Sequence, residues 1–321
     1  MQLPVFQPMQ FLSLTYWFGL TKTSPEETPM HYCRNTINIL LAYLLIISLA
    51  NGAQARTLSS PPPTKPFYFA VSAMTSPART LAHFSELTTY LAAKLNRPVH
   101  LKQRRTYAEI NDLLAQSRIQ MAFTCTGGYI AGRRDFGLNI LVVPVIKGNT
   151  FYRSYIVVRQ KSSFKSLADL KGRVFAYADP LSLSGYIYPA ARIRQLGYSA
   201  KKFFRHVFFT ESHDKSIEAV ATGIADGAAV DSLIFNALRA QAEPNAKRLK
   251  VIERSEKFGM PPVVVGPNID HDFRYRLLKV MLNMSKNAAG RAVLKRLGMD
   301  RFVLPDHALY HSAFLLNKEL E

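Results

Sequence analysis

The 321-residue chain is poor in several features that would point to common chemistries. It has two cysteines, Cys33 and Cys125, and Cys33 falls in the leader described below, so the exported part cannot close an intramolecular disulfide. A core large enough to do without covalent staples is implied. There is no Cys-x-x-Cys, His-Glu-x-x-His, Gly-x-Ser-x-Gly or Gly-Lys-Ser/Thr loop, which removes the usual zinc, dithiol, nucleophile-elbow and nucleotide-phosphate signatures. His307 and His311 stand four apart without a third ligand nearby, so neither metal nor cofactor is expected. Acidic residues are scarce: 22 Asp plus Glu against 41 Lys plus Arg, a net charge of +19. Such an excess suits nucleic acid, an anionic membrane surface or a small anionic ligand. The basic residues are scattered (Lys102, Arg104, Arg105; Arg133, Arg134; Lys201, Lys202; Lys247, Arg248, Lys250), with no recognition helix or aromatic-stacking module, and no nucleic-acid partner is expected.

Ile37–Ala50 is an almost unbroken apolar run of 14 residues, short for a membrane-spanning helix. With Arg34 before it and Ala53-Gln54-Ala55 after it, it reads as an export signal cut after Ala55; an uncleaved anchor is the alternative. Starting at Met30 would give a leader of ordinary size, which makes residues 1–29, with the single Trp17, a misassigned start. Residues 1–55 hold two basic side chains (Lys22, Arg34) and two acidic ones (Glu26, Glu27), so the exported part keeps the whole charge excess. Residues 56–66 form a proline-rich lead-in.

From Phe67 onward, buried strands alternate with amphipathic helices: Phe67–Ala73, then a helix from about Arg79 to Leu95, Val99–Leu101, a helix over Tyr107–Ala115, Gln120–Phe123 and Asn139–Ile146. A second series runs through Tyr155–Val158, Val174–Ala178, Phe203–Phe209, Gly227–Val230 and Leu249–Glu253, and the remainder after Pro261–Gly266 is helical. This alternation predicts α/β lobes with mostly parallel sheets, residues 67–150 plus 261–321 forming one and 151–260 the other. The polar crossings at Asn149–Ser154 and Arg254–Met260 would serve as hinges, with the ligand cleft at the carboxyl ends of the strands.

The most informative stretch is Asp179-Pro-Leu-Ser-Leu-Ser-Gly-Tyr186, a loop between a strand and a helix start. Hydroxyls and free amides at a helix N-terminus can cradle a small anion, or Ser182 or Ser184 can simply cap the helix. Thr75-Ser76, Thr124–Gly128 and Glu211-Ser212-His213-Asp214 occupy equivalent strand-to-helix loops, and all such loops face one cleft in a two-lobed protein. Cys125, at one of these helix starts, is either a small buried filler or a thiol of lowered pKa. An imidazole at His213 donating to the anion would hold it more tightly at low pH.

The run Leu167-Ala-Asp-Leu-Lys-Gly-Arg-Val-Phe-Ala-Tyr-Ala-Asp-Pro-Leu-Ser-Leu-Ser-Gly-Tyr186, with Ser212-His213, Ala219–Ala228 and the closing Gly290–Gly298 and Phe302, resembles the phosphate/phosphonate-binding component of ABC transporters over about Phe67 to Tyr310. The resemblance implies a two-lobed type II periplasmic-binding-protein fold and ligand contacts at Ser182, Ser184 and His213, with Tyr129 as an aromatic wall. Ser76, Thr126 and Gly185 complete the expected ligand-binding set. Leu183 stands where the family usually has Thr, and Cys125-Thr126 where a Gly-Pro is common. The implied role is an exported, monomeric, non-enzymatic protein that captures a phosphate, phosphite or phosphonate-like anion for a membrane permease. A membrane sensor as partner, or an enzyme using Cys125 or His213, are the rival readings.

Overall fold

The structure, a computed structural model, describes residues 65–320; the leader, its cleavage site and the lead-in up to residue 64 lie outside the described residues. Strands β1 (Phe67–Val71), β2 (Val99–Gln103), β3 (Met121–Phe123) and β4 (Asn139–Val145) are joined by helices α1 (Pro77–Leu95), α2 (Tyr107–Ala115) and α3 (Thr126–Phe136). The chain crosses through β5 (Phe151–Tyr152) to β6 (Ser154–Arg159), β7 (Val174–Tyr177), β8 (His206–Phe209), β9 (Gly227–Asp231) and β10 (Leu249–Arg254). Helices α4 (Tyr188–Gln195), α5 (His213–Thr222) and α6 (Ser232–Ala240) belong to this passage. It returns through β11 (Phe258–Gly259) to β12 (Val263–Val265), then α7 (His271–Leu282), α8 (Ala288–Leu297), β13 (Arg301–Val303) and α9 (His311–Leu320).

Two large sheets result, ordered β13-β4-β12-β3-β1-β2 and β10-β6-β9-β7-β8, with β5 and β11 pairing separately. They are mixed rather than mostly parallel. Strands linked by a crossover helix do pair in parallel, as β1 with β2 and β3, and β7 with β8 and β9. Strands next to a crossing enter their sheet in reverse: β12 is antiparallel to β3 and β4, and β6 to β9 and β10. Helical periodicity does not encode that reversal, which comes from the chain leaving one sheet and re-entering it from the other. The strand expected from Phe203 begins at His206, because Ala200–Phe203 is a short helical turn and Phe204 stacks on Phe175 with ring centroids 4.4 Å apart.

Local chemistry sets the element ends. Thr106 and Glu109 form a complete capping box at the start of α2, and α3 stops at Gly137, whose φ of 75° is left-handed. Phe84, Leu87 and Leu91 of α1 bury one helical stripe against Phe69 and Met121 of the first sheet. In the second lobe Val220, Ala228, Phe235 and Leu249 pack together. A third core runs through both lobes, from Tyr129 and Ile140 to Tyr152, Leu183, Ile187 and Tyr310. The crossings lie side by side, Tyr152 paired with Phe258 and Phe151 with Gly259, and Ser154 donates from its amide to Ser255 Oγ at 2.8 Å. Helix α9 joins the lobes: Phe314 packs on Tyr129 of α3, and the Arg194 side chain of α4 donates to the Glu319 carbonyl.

Candidate functional site

The site grows out of the turn that follows β7. Asp179 folds back on its own loop, its Oδ1 accepting from Leu181 N at 2.8 Å and its carbonyl from Ser182 N at 2.9 Å. Ser182 Oγ then accepts from Gly185 N at 3.0 Å, so Ser182 is the cap. Both Tyr186 N and Ile187 N reach the Ser182 carbonyl at 3.0 Å, giving a wide, π-type first turn before α4. Ser184 sits inside this turn, fully buried, with its carbonyl held by Ser154 Oγ at 2.6 Å and its own Oγ without a hydrogen-bond partner. Gly185 has to be glycine: a Cβ there would stand 2.6 Å from Ala178 Cβ and 3.0 Å from His213 Cε1.

His213 opens α5 and is buried beside the same turn. Its Nδ1 accepts the Asp231 backbone N–H at 3.2 Å, so the ring proton belongs on Nε2, which lies 3.5 Å from Ser182 Oγ. Burial lowers its pKa to about 4, against the opposing pull of Asp214, and the imidazole is a neutral N–H donor at physiological pH. Burial thus works against the protonated His213 that tighter binding at low pH would need.

Two tyrosines that the sequence reading did not single out complete the cluster. Tyr107, at the start of α2, and Tyr152, on the crossing strand β5, have buried hydroxyls with no partner, as does Ser212 Oγ. Burial raises both tyrosine pKa values well above the ordinary phenol range, with Cys125 and Asp231 adding to the effect, so both phenols stay protonated. Tyr152 faces Thr126 and Ser184. Cys125 lies among the amides of Leu183, Gly127 and Gly128, but desolvation outweighs them and pushes its thiol up to about 11, the opposite of an activated nucleophile. Asp231, buried at the start of α6, accepts from Leu233 N at 2.6 Å and is pushed up to about 7 by desolvation.

Contacts between the lobes close over this cluster. Tyr107 N donates to Asp179 Oδ2 at 3.1 Å, Ser76 N to the Asp214 carboxylate at 3.1 Å, and His213 N to the Met74 carbonyl at 3.2 Å. Arg79 pairs with Glu243 at 2.6 Å and Asp214 at 3.6 Å, and Arg105 pairs with Glu211. Arg79 and Arg105 are thus spent on rim carboxylates, and the interior holds hydroxyls and the neutral His213 together with the buried carboxyl groups of Asp179 and Asp231. Among the expected residues, Ser182, Ser184, Gly185 and His213 meet in one place. Thr126 lies next to them but donates its Oγ1 to the Gly259 carbonyl at 2.9 Å, and Ser76 commits its amide to Asp214. Tyr129 is elsewhere: its ring packs edge-on against Tyr310 and Phe314, and its hydroxyl accepts from Arg133. Among the described residues no group of three metal-ligating side chains occurs, and no helix is long and apolar enough to cross a membrane.

Comparison with known proteins gives the family and the fold. The chain is 29% identical over 160 residues to the phosphonates-binding periplasmic protein of Escherichia coli, covering 48% of this chain and 47% of that one. It is 24% identical over 186 residues to the phosphate-import protein PhnD of Mycolicibacterium smegmatis, covering 54% and 58%. The chain therefore matches about half the length of these curated relatives. In fold it matches the binding component of an ABC phosphonate transporter from Pseudomonas aeruginosa, with a TM-score of 0.74 at 20% identity over 78% of this chain and 85% of that one. Its fold is that of the type II periplasmic binding proteins. The family model for the periplasmic substrate-binding protein of ABC phosphonate transporters matches residues 69–310, and the chain belongs to that family.

Proposed function

We propose that this protein captures a small tetrahedral oxyanion, of phosphate, phosphite or phosphonate type, between its two lobes and delivers it to an ABC permease. The observation that carries the reading is the buried pair of tyrosines, Tyr107 and Tyr152, that adjoin each other and Ser184 with no hydrogen-bond partner in good geometry for any of the three hydroxyls, close to the turn that His213 Nε2 faces through Ser182. An unpaired buried hydroxyl is costly, and several gathered at one point ask for a shared acceptor. A tetrahedral anion with three or four oxygens is such an acceptor, and neutral donors stabilise its charge without a counter-ion. An enzymatic role has less support, since Cys125 is held as a thiol, His213 accepts from a backbone amide, and neither forms a base–nucleophile pair with the other.

On this reading the lobes, residues 67–150 plus 261–321 and 151–260, hinge about the paired crossings, and ligand favours closure because its donors come from both sides. Isothermal titration with phosphate, phosphite, methylphosphonate and sulfate tests the assignment: at least one phosphorus oxyanion binds with a heat that is absent in Ser184→Asp. Lack of binding by every phosphorus oxyanion would overturn it. Export with cleavage after Ala55 belongs to the same proposal, and intact mass of secreted material should give a chain starting at Arg56.

A further inference from the structure

Beside the donor cluster the cleft holds a cavity of about 460 Å³ that a phosphate-sized anion in the cluster would leave unused. Its walls come from both lobes: Phe84, Phe123 and Met299 on one side, Leu233, Ile234 and Ala237 of α6 on the other. Asp231 and Ser72, both buried, also line it, and Asp231 adjoins His213. The Asp231 amide donates to His213 Nδ1, and Ser72 Oγ lies 3.0 Å from the hydroxyl of Thr124, the residue before Cys125. Arg79 and Arg296 also line the cavity, but Arg79 is held by Asp214 and Glu243, and Arg296 by Glu86 at 2.8 Å. Lys147 and Lys295 apart, what remains on offer is chiefly apolar surface.

An apolar cavity of about 150 Å³ already suffices to take up benzene, and pockets for drug-sized organic ligands begin at about 300 Å³. We propose that the ligand is an oxyanion bearing a bulky apolar substituent, with the oxyanion on the hydroxyl cluster and the substituent in this cavity. The inference rests on the oxyanion reading above and adds the size and polarity of what the oxyanion carries. Because the walls belong to different lobes, the substituent gains its contacts only in the closed arrangement, so binding selectivity and closure draw on the same surface.

The test is isothermal titration of the purified protein with phosphate, methylphosphonate, butylphosphonate, phenylphosphonate and 4-phosphonobutyrate, repeated on Ala237→Trp and the milder Ala237→Leu. Each buried methylene should tighten binding about fourfold, so butylphosphonate should exceed methylphosphonate on the order of 50-fold. Ala237 is exposed on α6 and lines the cavity, so the larger side chains should fill it. Ala237→Trp is expected to erase the butyl and phenyl gain, and Ala237→Leu to reduce it, while methylphosphonate binding is kept and reports an intact fold. Lys147 and Lys295 also line the cavity, and the ω-carboxylate compound probes them. Its binding tenfold or more above butylphosphonate would overturn the apolar assignment. Methylphosphonate binding with no gain along the series would overturn this inference and leave the oxyanion reading standing, whereas silence from every compound, phosphate included, would overturn both.

Discussion

Replacing Ser184 with alanine separates anion binding from helix capping, because the structure divides these two roles between neighbouring serines. Ser182 Oγ is the group that accepts the Gly185 amide, whereas Ser184 Oγ is fully buried and makes no hydrogen bond. Ser184→Ala therefore removes no well-formed bond from the unliganded protein, only its close approach to Tyr152, and relieves a buried hydroxyl of a kind that typically costs about 1–3 kcal/mol when unsatisfied. Unliganded stability should hold or rise. The same change deletes a donor to a charged ligand, worth about 1.5–3 kcal/mol, so affinity should fall roughly 10- to 150-fold. Ser182→Ala should behave differently, losing a cap worth about 1 kcal/mol and lowering Tm by about 2–4 °C in a domain of this size. Thermal unfolding without ligand, and titration with the best-binding phosphorus oxyanion, measure both quantities for both variants. If Ser184→Ala lowered Tm by several degrees and left the dissociation constant unchanged, Ser184 would be a structural hydroxyl and the donor-cluster argument would fail.

Other consequences concern protonation and contact between the lobes. Asp231 has its folded pKa raised to about 7, above the unfolded value near 3.8, so the native state binds the extra proton and Asp231's contribution to stability is lost as pH rises through that window. Asp231→Asn, which retains an N-cap side chain, should gain relative stability of about 2–3 kcal/mol between pH 5 and pH 8 in urea unfolding, and a flat difference would refute the burial-driven shift. His213 shifts the other way, down to about 4, so its contribution is present above pH 6.5 and disappears as pH falls through 4. His213→Ala should accordingly weaken binding by the same factor at pH 7 and pH 8; a deficit that shrinks at the higher pH would show that the imidazolium matters after all. Gly127→Ala would set a Cβ 2.1 Å from the Leu181 carbonyl and 2.8 Å from Leu183 N, forcing α3 away from the Ser182 turn. Solution scattering should give that variant a larger radius of gyration with ligand present than the unmutated protein has.

Much of this architecture follows from local sequence. Alternating apolar runs and amphipathic helices specify α/β lobes, the Thr106–Glu109 pair starts α2, and Pro180 through Gly185 starts a helix whose first turn carries hydroxyls, because capping and periodicity act over a few residues. The Leu-Ser-Gly turn beside Ser212-His213 was legible for the same reason. Tertiary structure decided which hydroxyls are buried without a hydrogen-bond partner. Tyr107 reads as an ordinary first helical residue and Tyr152 as part of a polar crossing; only the meeting of segments near residues 107, 152 and 184 brings their hydroxyls together in the interior. Tyr129, four residues after Cys125, has the composition of a cleft residue, yet the returning C-terminal segment claims its ring through Tyr310 and Phe314. The reversed strands β6 and β12 follow from the two crossings, and the protonation states of His213, Cys125 and Asp231 from burial. Burial and long-range pairing depend on residues more than a hundred positions apart, and no local pattern carries that information.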